Sequence, residues 1–183
     1  MPLRDAIQAR RSVRAFSPRR FRLDDADDLQ LLSDLLWAAW GYISTRRRSA
    51  PSSHNWQELE LRLLLPEGVF VYDAVENRLV QQSEADLRPL SGVQEYPATA
   101  PLNIVLVAEK TLVTGKTPEG VRETIFTDSG YICENIYLFC ASEGLATVSR
   151  AWIDRPALAA ALGLSDTQAI TLVQTVGWKA EEK

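Results

Sequence analysis

The chain has 183 residues, and its 20 lysines and arginines against 24 aspartates and glutamates leave a formal net charge of −4. This length predicts one globular domain covering 1–183, because chains usually divide only beyond roughly 250 residues. The acidic balance argues against general nucleic-acid binding, and no window approaches the ~18 consecutive apolar residues of a membrane span. The charged N-terminus lacks the apolar stretch of a signal peptide, so we expect a cytoplasmic protein.

Residue counts exclude several kinds of chemistry. The single histidine, His54, and two cysteines cannot supply a multi-histidine zinc site, a four-cysteine zinc site or an iron–sulfur cluster held by cysteines alone. Neither the Rossmann pattern G-x-G-x-x-G nor the P-loop pattern occurs, and no G-x-S-x-G elbow supports a serine nucleophile. We therefore expect no metal site, and we expect any enzymatic chemistry to come from a bound cofactor.

Apolar periodicity and capping residues predict an α+β protein with a central sheet. Predicted helices cover 2–11, 25–40 with Asp24 as N-cap, 127–144, and 155–162 with Asp154 as N-cap. Predicted strands cover 58–65, 68–75, 78–83, 101–109 and 169–178, and the hairpin turns at Glu76-Asn77. The segments 44–57 and 84–100 lack periodicity and are predicted to be loops, and a further loop is predicted over 111–119, which contains Gly115 and Pro118.

The long apolar helices offer more hydrophobic surface than one small sheet easily covers, which predicts an obligate homodimer. The large side chains that provide this surface are Trp37, Trp40, Tyr137 and Phe139.

The predicted helices also show an apolar stripe and a pair of cysteines. Leu3, Ala6 and Ile7 give the first helix one apolar stripe. Cys133 and Cys140 lie two turns apart on one face of the long helix, about 10 Å from each other, which is too far for a disulfide. We therefore expect both cysteines to be small buried hydrophobic side chains.

Three polar segments remain once the core is assigned. The first, 10–14, contains three arginines and Ser12, which together suit phosphate binding through guanidinium forks and a hydroxyl, or form a solvated helix end. The second, 50–57, offers hydroxyls and amides before a strand, or is an ordinary loop. The third, 143–149, has small residues that would let a flat ligand approach the backbone, or is a plain helix C-cap.

The order and spacing of these segments resemble those of the nitroreductase family of flavin oxidoreductases. The motifs that carry the resemblance are R-x-S-x-R-x-F at 10–16, A-P-S-S-x-N at 50–55, D-x-G-x-x-x-x-N-x-x-L at 128–138, and Gly144-Leu145. The resemblance runs from about Leu3 to Trp178. Within the family, the A-P-S loop followed by G-x-x-x-Y-D at 68–73 is most similar to the branch that contains SagB-type dehydrogenase domains.

The resemblance implies an FMN-binding homodimer, with a central, mainly antiparallel sheet flanked by helices and with two flavins at the subunit interface. Arg10 and Ser12, in a cationic run that also contains Arg11, would hold the FMN phosphate. Arg14 would lie near the pyrimidine side of the ring, where its charge stabilises the reduced flavin. Lys179 is a second candidate for the phosphate, or is a solvated lysine of the tail.

Two further groups of residues complete the implied flavin site. The residues that would reach the FMN of the other subunit are Pro51, Ser52, Ser53 and Asn55. The residues that would lie against the ring near N5, with backbone amides as donors, are Ala146, Thr147 and Val148.

The implied reaction uses NAD(P)H, which passes a hydride to the flavin and leaves. A small-molecule electron acceptor, such as a nitro compound or a quinone, then takes its place in a ping-pong cycle. The alternatives are a SagB-like FMN-dependent dehydrogenase that oxidises a heterocycle or an amide, and a non-catalytic flavin-binding protein. Because flavin N5 carries the chemistry, no catalytic side chain is expected.

Overall fold

The computed structural model describes residues 1–180, which form five α-helices and eight β-strands. The helices are α1 (Leu3–Ala9), α2 (Ala26–Trp40), α3 (Tyr96–Thr99), α4 (Pro118–Ser142) and α5 (Arg155–Ala161). The strands are β1 (Tyr42–Ser44), β2 (Arg47–Arg48), β3 (Leu59–Leu65), β4 (Gly68–Asp73), β5 (Arg78–Ser83), β6 (Leu102–Glu109), β7 (Leu145–Arg150) and β8 (Gln168–Trp178). The predicted α+β class is confirmed. That 1–183 forms one domain stays a prediction.

Six of the strands form one antiparallel sheet in the order β5-β4-β3-β6-β8-β7. β1 and β2 pair separately as a small hairpin. In the middle of the sheet, β6 pairs with β3 through Leu61 and Leu106, and with β8 through Val105 and Val173. β7 pairs with β8 and is an edge strand of the sheet. Its other side is contacted by the N-terminal segment, where the Val13 amide donates to the Thr147 carbonyl. The predicted antiparallel sheet is confirmed.

The near-continuous apolar run of β6 reflects burial on both faces of the sheet. Leu102, Ile104 and Leu106 belong to the larger core, which α2 and α4 cover. Val105 and Val107 belong to the smaller core, to which α5 contributes Leu158. The sheet is therefore a middle layer between helices, as predicted.

The long helix α4 begins nine residues before the predicted start at Thr127. Pro118 occupies its first turn, and the Thr117 side chain accepts a hydrogen bond of 3.2 Å from the Gly120 amide. Proline is tolerated at that position because the first amides of a helix have no partner within it. The prediction of a loop there was wrong, since Pro118 and Gly120 begin the helix rather than interrupt it.

Other boundaries also differ from the prediction. The N-cap of α2 is Asp25 rather than Asp24, because the Asp25 side chain accepts from the amides of Asp27 and Asp28. The predicted loop 44–57 contains β2 and the last residue of β1, and the predicted loop 84–100 contains α3. The segment 143–149, predicted as a junction after the helix, is mostly strand β7. The α5 N-cap, Asp154, is confirmed.

Both cysteines are free and buried on α4, as predicted. Burial raises the pKa of the Cys133 thiol to about 11 and also raises that of Cys140. Neither thiol is therefore a thiolate at neutral pH, which leaves both without the chemistry of a nucleophile.

Candidate functional site

Tyr137, on the C-terminal half of α4, connects the first and third polar segments. Its hydroxyl lies 2.9 Å from the Ser12 hydroxyl and accepts a 2.9 Å hydrogen bond from the Ser149 amide of β7. The Arg10 guanidinium carbon lies 5.2 Å from the centre of the Tyr137 ring, within the range of a cation–π contact. The fold thus brings together two segments that are more than a hundred residues apart in the sequence.

Lys179 joins this cluster because the N-terminal segment runs across the ends of β7 and β8. The Val13 amide donates to the Thr147 carbonyl at 2.9 Å, and Phe16 forms an antiparallel bridge with Lys179. A small cavity of about 80 Å³ lies between these elements, and its lining residues include Arg11, Val13, Tyr137, Thr147 and Lys179.

The cluster carries an excess of positive charge. Among residues 1–180, none of Arg10, Arg11, Arg14 and Lys179 has a carboxylate within 4.0 Å. The Arg11 guanidinium does donate to the carbonyls of Gln8 and Arg10, each at 2.8 Å, so it closes the end of α1. Arg10, Arg11 and Lys179 lie around the hydroxyls of Ser12 and Tyr137. With no carboxylate within 4.0 Å among residues 1–180, these cations could hold a phosphate or a carboxylate.

Ala146, Thr147 and Val148 lie inside β7 rather than on a junction, and their side chains are buried. In a β-strand the N–H and C=O of one residue point to the same neighbouring strand, and those of the next residue point to the opposite side. The Thr147 carbonyl accepts from the Val13 amide, so the N–H and C=O of Thr147 point away from β8. The amides of Ala146 and Val148 therefore point toward β8. The expectation that these two amides are donors to a ring does not fit this strand geometry.

The loop 51–57 is held to α4 by Asp128. Its carboxylate accepts a 2.8 Å hydrogen bond from the Ser53 amide and a 3.2 Å hydrogen bond from the Ser53 hydroxyl. Within the loop, the Ser52 hydroxyl accepts from the Gln57 amide at 3.0 Å. Left-handed backbone at His54, Asn55 and Gln57 stores strain that is typical of functional loops.

The loop 51–57 does not meet the cationic cluster within this chain. Asp128 and Tyr137 are nine residues apart on α4, which corresponds to about 13 Å along the axis and two and a half turns. The two side chains therefore leave opposite faces of the helix. Pro51, Ser52, Ser53 and Asn55 form one group, and the residues around Tyr137 form another.

Glu58, directly before β3, is a buried carboxyl group beside Asp128. Glu58 is 2% exposed and Asp128 is fully buried, and neither Glu58 oxygen has a hydrogen-bond partner among the described residues. Burial, together with the charge of Asp128, raises the pKa of Glu58 to about 7. Burial is the larger cause, and the nearby Asp128 carboxyl adds to it because a protonated Glu58 can donate a hydrogen bond to Asp128.

Sequence reasoning missed Tyr137, Asp128 and Glu58 as parts of the site. Asp128 belongs to the D-x-G motif of α4, so its position could have been connected with the A-P-S-S loop. Tyr137 occupies a variable position of the same motif, although a tyrosine hydroxyl needs a partner when it is covered. Nothing in the sequence distinguishes Glu58 from Glu60, the partly exposed glutamate two residues later.

Comparison with known proteins places this arrangement in a family. The family model for the nitroreductase family matches residues 7–178. A crystal structure of a Ralstonia eutropha JMP134 protein described as a nitroreductase is 34% identical, with a TM-score of 0.90 over 100% of this chain and 85% of that one. A Methanocaldococcus jannaschii protein, also described as a nitroreductase, is 26% identical over 158 residues, which are 80% of this chain and 77% of that protein.

A third likeness concerns the fold alone. A Clostridium acetobutylicum protein described as an NADH oxidase is 22% identical, with a TM-score of 0.67 over 98% of this chain and 90% of that one.

The chain belongs to the nitroreductase family, whose members are flavin-type oxidoreductases. Between residues 1 and 180, no helix is long and apolar enough to cross a membrane, and no three potential metal ligands from His, Cys, Asp and Glu lie together.

Proposed function

We propose that the protein is an FMN-dependent oxidoreductase that uses NAD(P)H to reduce nitro, quinone or related small-molecule acceptors. The observation that carries this proposal is the cationic cluster around Ser12 and Tyr137, whose cations have no carboxylate within 4.0 Å among residues 1–180. FMN differs from riboflavin by a phosphate, and a phosphate is the anion that such a cluster binds best.

The phosphate would be held by Arg10, Ser12 and Lys179. The Tyr137 oxygen already accepts from the Ser149 amide, so its single proton is available for the Ser12 oxygen 2.9 Å away. The Ser12 hydroxyl proton is then free to point at a phosphate oxygen. Arg11, which closes α1, positions this segment and adds its charge.

The remaining residues support the ring. FMN, when bound, supplies hydride acceptance and donation at N5. Arg14 is exposed on the extended segment after Ser12, and we assign it to the pyrimidine side, where a fixed cation favours the reduced state. We assign Thr147 to the position against the flavin ring near N5 that the resemblance implies. Ala146 and Val148 are buried neighbours of Thr147 in β7.

A homodimer completes the proposed site. Leu3 and Ile7 of α1, with Trp37 of α2, are 65%, 57% and 47% exposed, so the predicted apolar stripe of α1 is left largely uncovered in one chain. Exposed apolar faces of this kind mark interfaces. The loop carrying Pro51, Ser52, Ser53 and Asn55 points away from the Tyr137 cluster, and we propose that it reaches the FMN of the partner subunit.

The visible spectrum of the purified protein, loaded with FMN, tests this function. We expect a yellow protein that NADPH or NADH bleaches without oxygen, and whose colour returns when a quinone or a nitroaromatic compound is added. A yellow protein that neither nicotinamide bleaches would instead favour a SagB-like dehydrogenase or a flavin-binding role. A protein that cannot be loaded with FMN would contradict the proposal.

A further inference from the structure

A groove of about 590 Å³ lies between α2 and the hairpin formed by β4 and β5. Its lining contains no residue of the segment 10–14, of the loop 51–57 or of α4. The larger core fills the space between this groove and Tyr137, since α2 and α4 contribute the fully buried side chains of Leu35 and Ile132 to it. In the sheet, β4 and β7 are four strand spacings apart, which corresponds to about 19 Å. The groove is therefore separate from the proposed flavin site.

Apolar side chains form most of the groove. Leu29 of α2 is 41% exposed, whereas Leu32 and Leu36 of the same helix are buried. The remaining apolar residues of the lining are Leu23, Ala26, Phe70 and Leu79. The volume lies within the range of small-molecule sites, roughly 300–1,000 Å³, and such sites combine apolar walls with a few fixed polar groups.

The fixed polar groups of this groove form a chain of hydrogen bonds that joins α2 to the hairpin. The Tyr72 hydroxyl donates to the side-chain oxygen of Asn77 at 2.8 Å, and the side-chain nitrogen of Asn77 donates to the Ser33 hydroxyl, also at 2.8 Å. Burial raises the pKa of Tyr72 to about 12, so this hydroxyl keeps its proton at neutral pH and stays a donor. The backbone of Asn77 is left-handed, with φ at 48°, a conformation that asparagine adopts more readily than most residues.

The direction of this chain leaves two donors unused. Among residues 1–180, the Ser33 hydroxyl accepts from Asn77 and donates to no group. The second N–H of the Asn77 amide also has no acceptor among these residues. Because both side chains line the groove, an acceptor atom bound there would use both donors.

The groove offers no unpaired charge to a ligand. Arg78 is the only charged residue that lines it among residues 1–180, and its guanidinium pairs with Asp73 at 3.2 Å. A charged ligand would lose hydration between apolar walls without gaining a free counterion. These conditions favour an uncharged occupant.

We propose that this groove binds an uncharged, largely apolar molecule that carries a carbonyl group, of the class of the aryl ketones. A carbonyl oxygen has lone pairs and no proton, so it accepts from Ser33 and Asn77 and completes the chain that begins at Tyr72. The ring of the ligand packs against Phe70 and the leucines of α2. This site does not depend on the flavin site.

Acetophenone, a small aryl ketone, is the probe, and NMR of the isotope-labelled, FMN-loaded protein locates its binding site. We expect chemical-shift changes at the backbone amides of 29–36 in α2 and of 70–79 in the hairpin. The amides of 10–14 and of Tyr137 should not change. Shift changes at those amides in place of the groove would overturn the proposal, because acetophenone would then bind at the flavin site.

Affinities from the same titrations test the polar contacts. Ethylbenzene has the same ring but no carbonyl, so it should bind at least about tenfold more weakly than acetophenone, which corresponds to about 1.4 kcal/mol. Ser33→Ala should weaken acetophenone by about tenfold and leave ethylbenzene unchanged, and alanine is well tolerated in a helix. Ser44→Ala, which removes an exposed hydroxyl from β1, is the matched control and should change neither affinity.

A variant that fills the groove tests the site without relying on the hydrogen bonds. Ala26 is exposed in the first turn of α2 and lines the groove, so Ala26→Phe should leave the fold intact and abolish acetophenone binding. Full affinity in Ala26→Phe or in Ser33→Ala would overturn the proposal. Equal affinities of the wild-type protein for acetophenone and ethylbenzene would also overturn it, because the carbonyl would then make no contact.

Discussion

Replacing Glu58 by Gln tests the buried carboxyl pair that supports the loop 51–57. Glutamine keeps the size of the side chain and can donate an N–H to Asp128, but it cannot ionise. With the pKa of Glu58 raised from 4.5 to about 7, ionising this carboxyl costs the native state on the order of 3 kcal/mol, at about 1.4 kcal/mol per pH unit.

The sign of the pH dependence follows from the direction of this shift. Because the pKa of Glu58 is higher in the folded protein, the native state holds the proton more tightly than the unfolded state. The stability it contributes is fully present below about pH 4.5 and is lost as the pH rises through about 7. Relative to Glu58→Gln, wild type should therefore lose about 2–3 kcal/mol of unfolding free energy between about pH 5 and pH 8.

Denaturant unfolding followed by tryptophan fluorescence at these two pH values measures this difference. Subtracting the variant from wild type removes the titration of all other groups. Glu60→Gln is the matched control, since Glu60 lies two residues further on in β3, is only partly buried and pairs with Arg62, so this substitution removes a carboxyl group without touching the buried one. A wild-type minus Glu58→Gln difference that stays constant from about pH 5 to pH 8 would refute the raised pKa of Glu58.

Three other predictions concern the flavin site and the dimer. Arg14→Met should lower the two-electron potential of bound FMN by about 30–65 mV, for a lost interaction of about 1.4–3 kcal/mol, and equal potentials in spectroelectrochemistry would place Arg14 away from the ring. Tyr137→Phe should lower the unfolding free energy by about 1–3 kcal/mol through the lost bonds to Ser12 and Ser149, and unchanged stability would contradict that network. Light scattering at micromolar concentration should give a dimer for wild type and a monomer for Trp37→Glu, and an FMN-loaded wild-type monomer would contradict a shared site.

Much of the fold could be predicted from the periodicity of apolar residues. In β3 apolar and polar residues alternate over the first residues of the strand, and β6 is apolar almost throughout because both of its faces are buried. The first turns of α4 escaped prediction because Pro118 and Gly120 act as breakers in most contexts, and the Thr117 cap that makes them a helix start is a local contact. β7 escaped for a different reason. Several of its side chains are small, and the strand begins directly after Gly144, so the segment resembles the end of a helix in the sequence. Only its pairing with β8 defines it as a strand.

The candidate site divides in the same way. The cationic residues Arg10, Arg14 and Lys179 are visible in the sequence as unusual charge, whereas the tyrosine that connects Ser12 with Ser149 depends on tertiary packing. The burial of Glu58 beside Asp128 likewise depends on how β3 meets α4, which no local pattern records.

The central claim is that the phosphate of FMN binds at Arg10, Ser12 and Lys179. Titration calorimetry with FMN and with riboflavin, which lacks the phosphate, measures this most directly. Wild type should bind FMN much more tightly than riboflavin. Arg10→Ala should reduce the difference in binding free energy between the two ligands by about 2–5 kcal/mol, since it removes one partner of a charge pair. Arg4→Ala, the control on α1, should leave this difference unchanged. If Arg10→Ala keeps the wild-type difference in binding free energy between FMN and riboflavin, the phosphate does not bind at Arg10, and the central claim is contradicted.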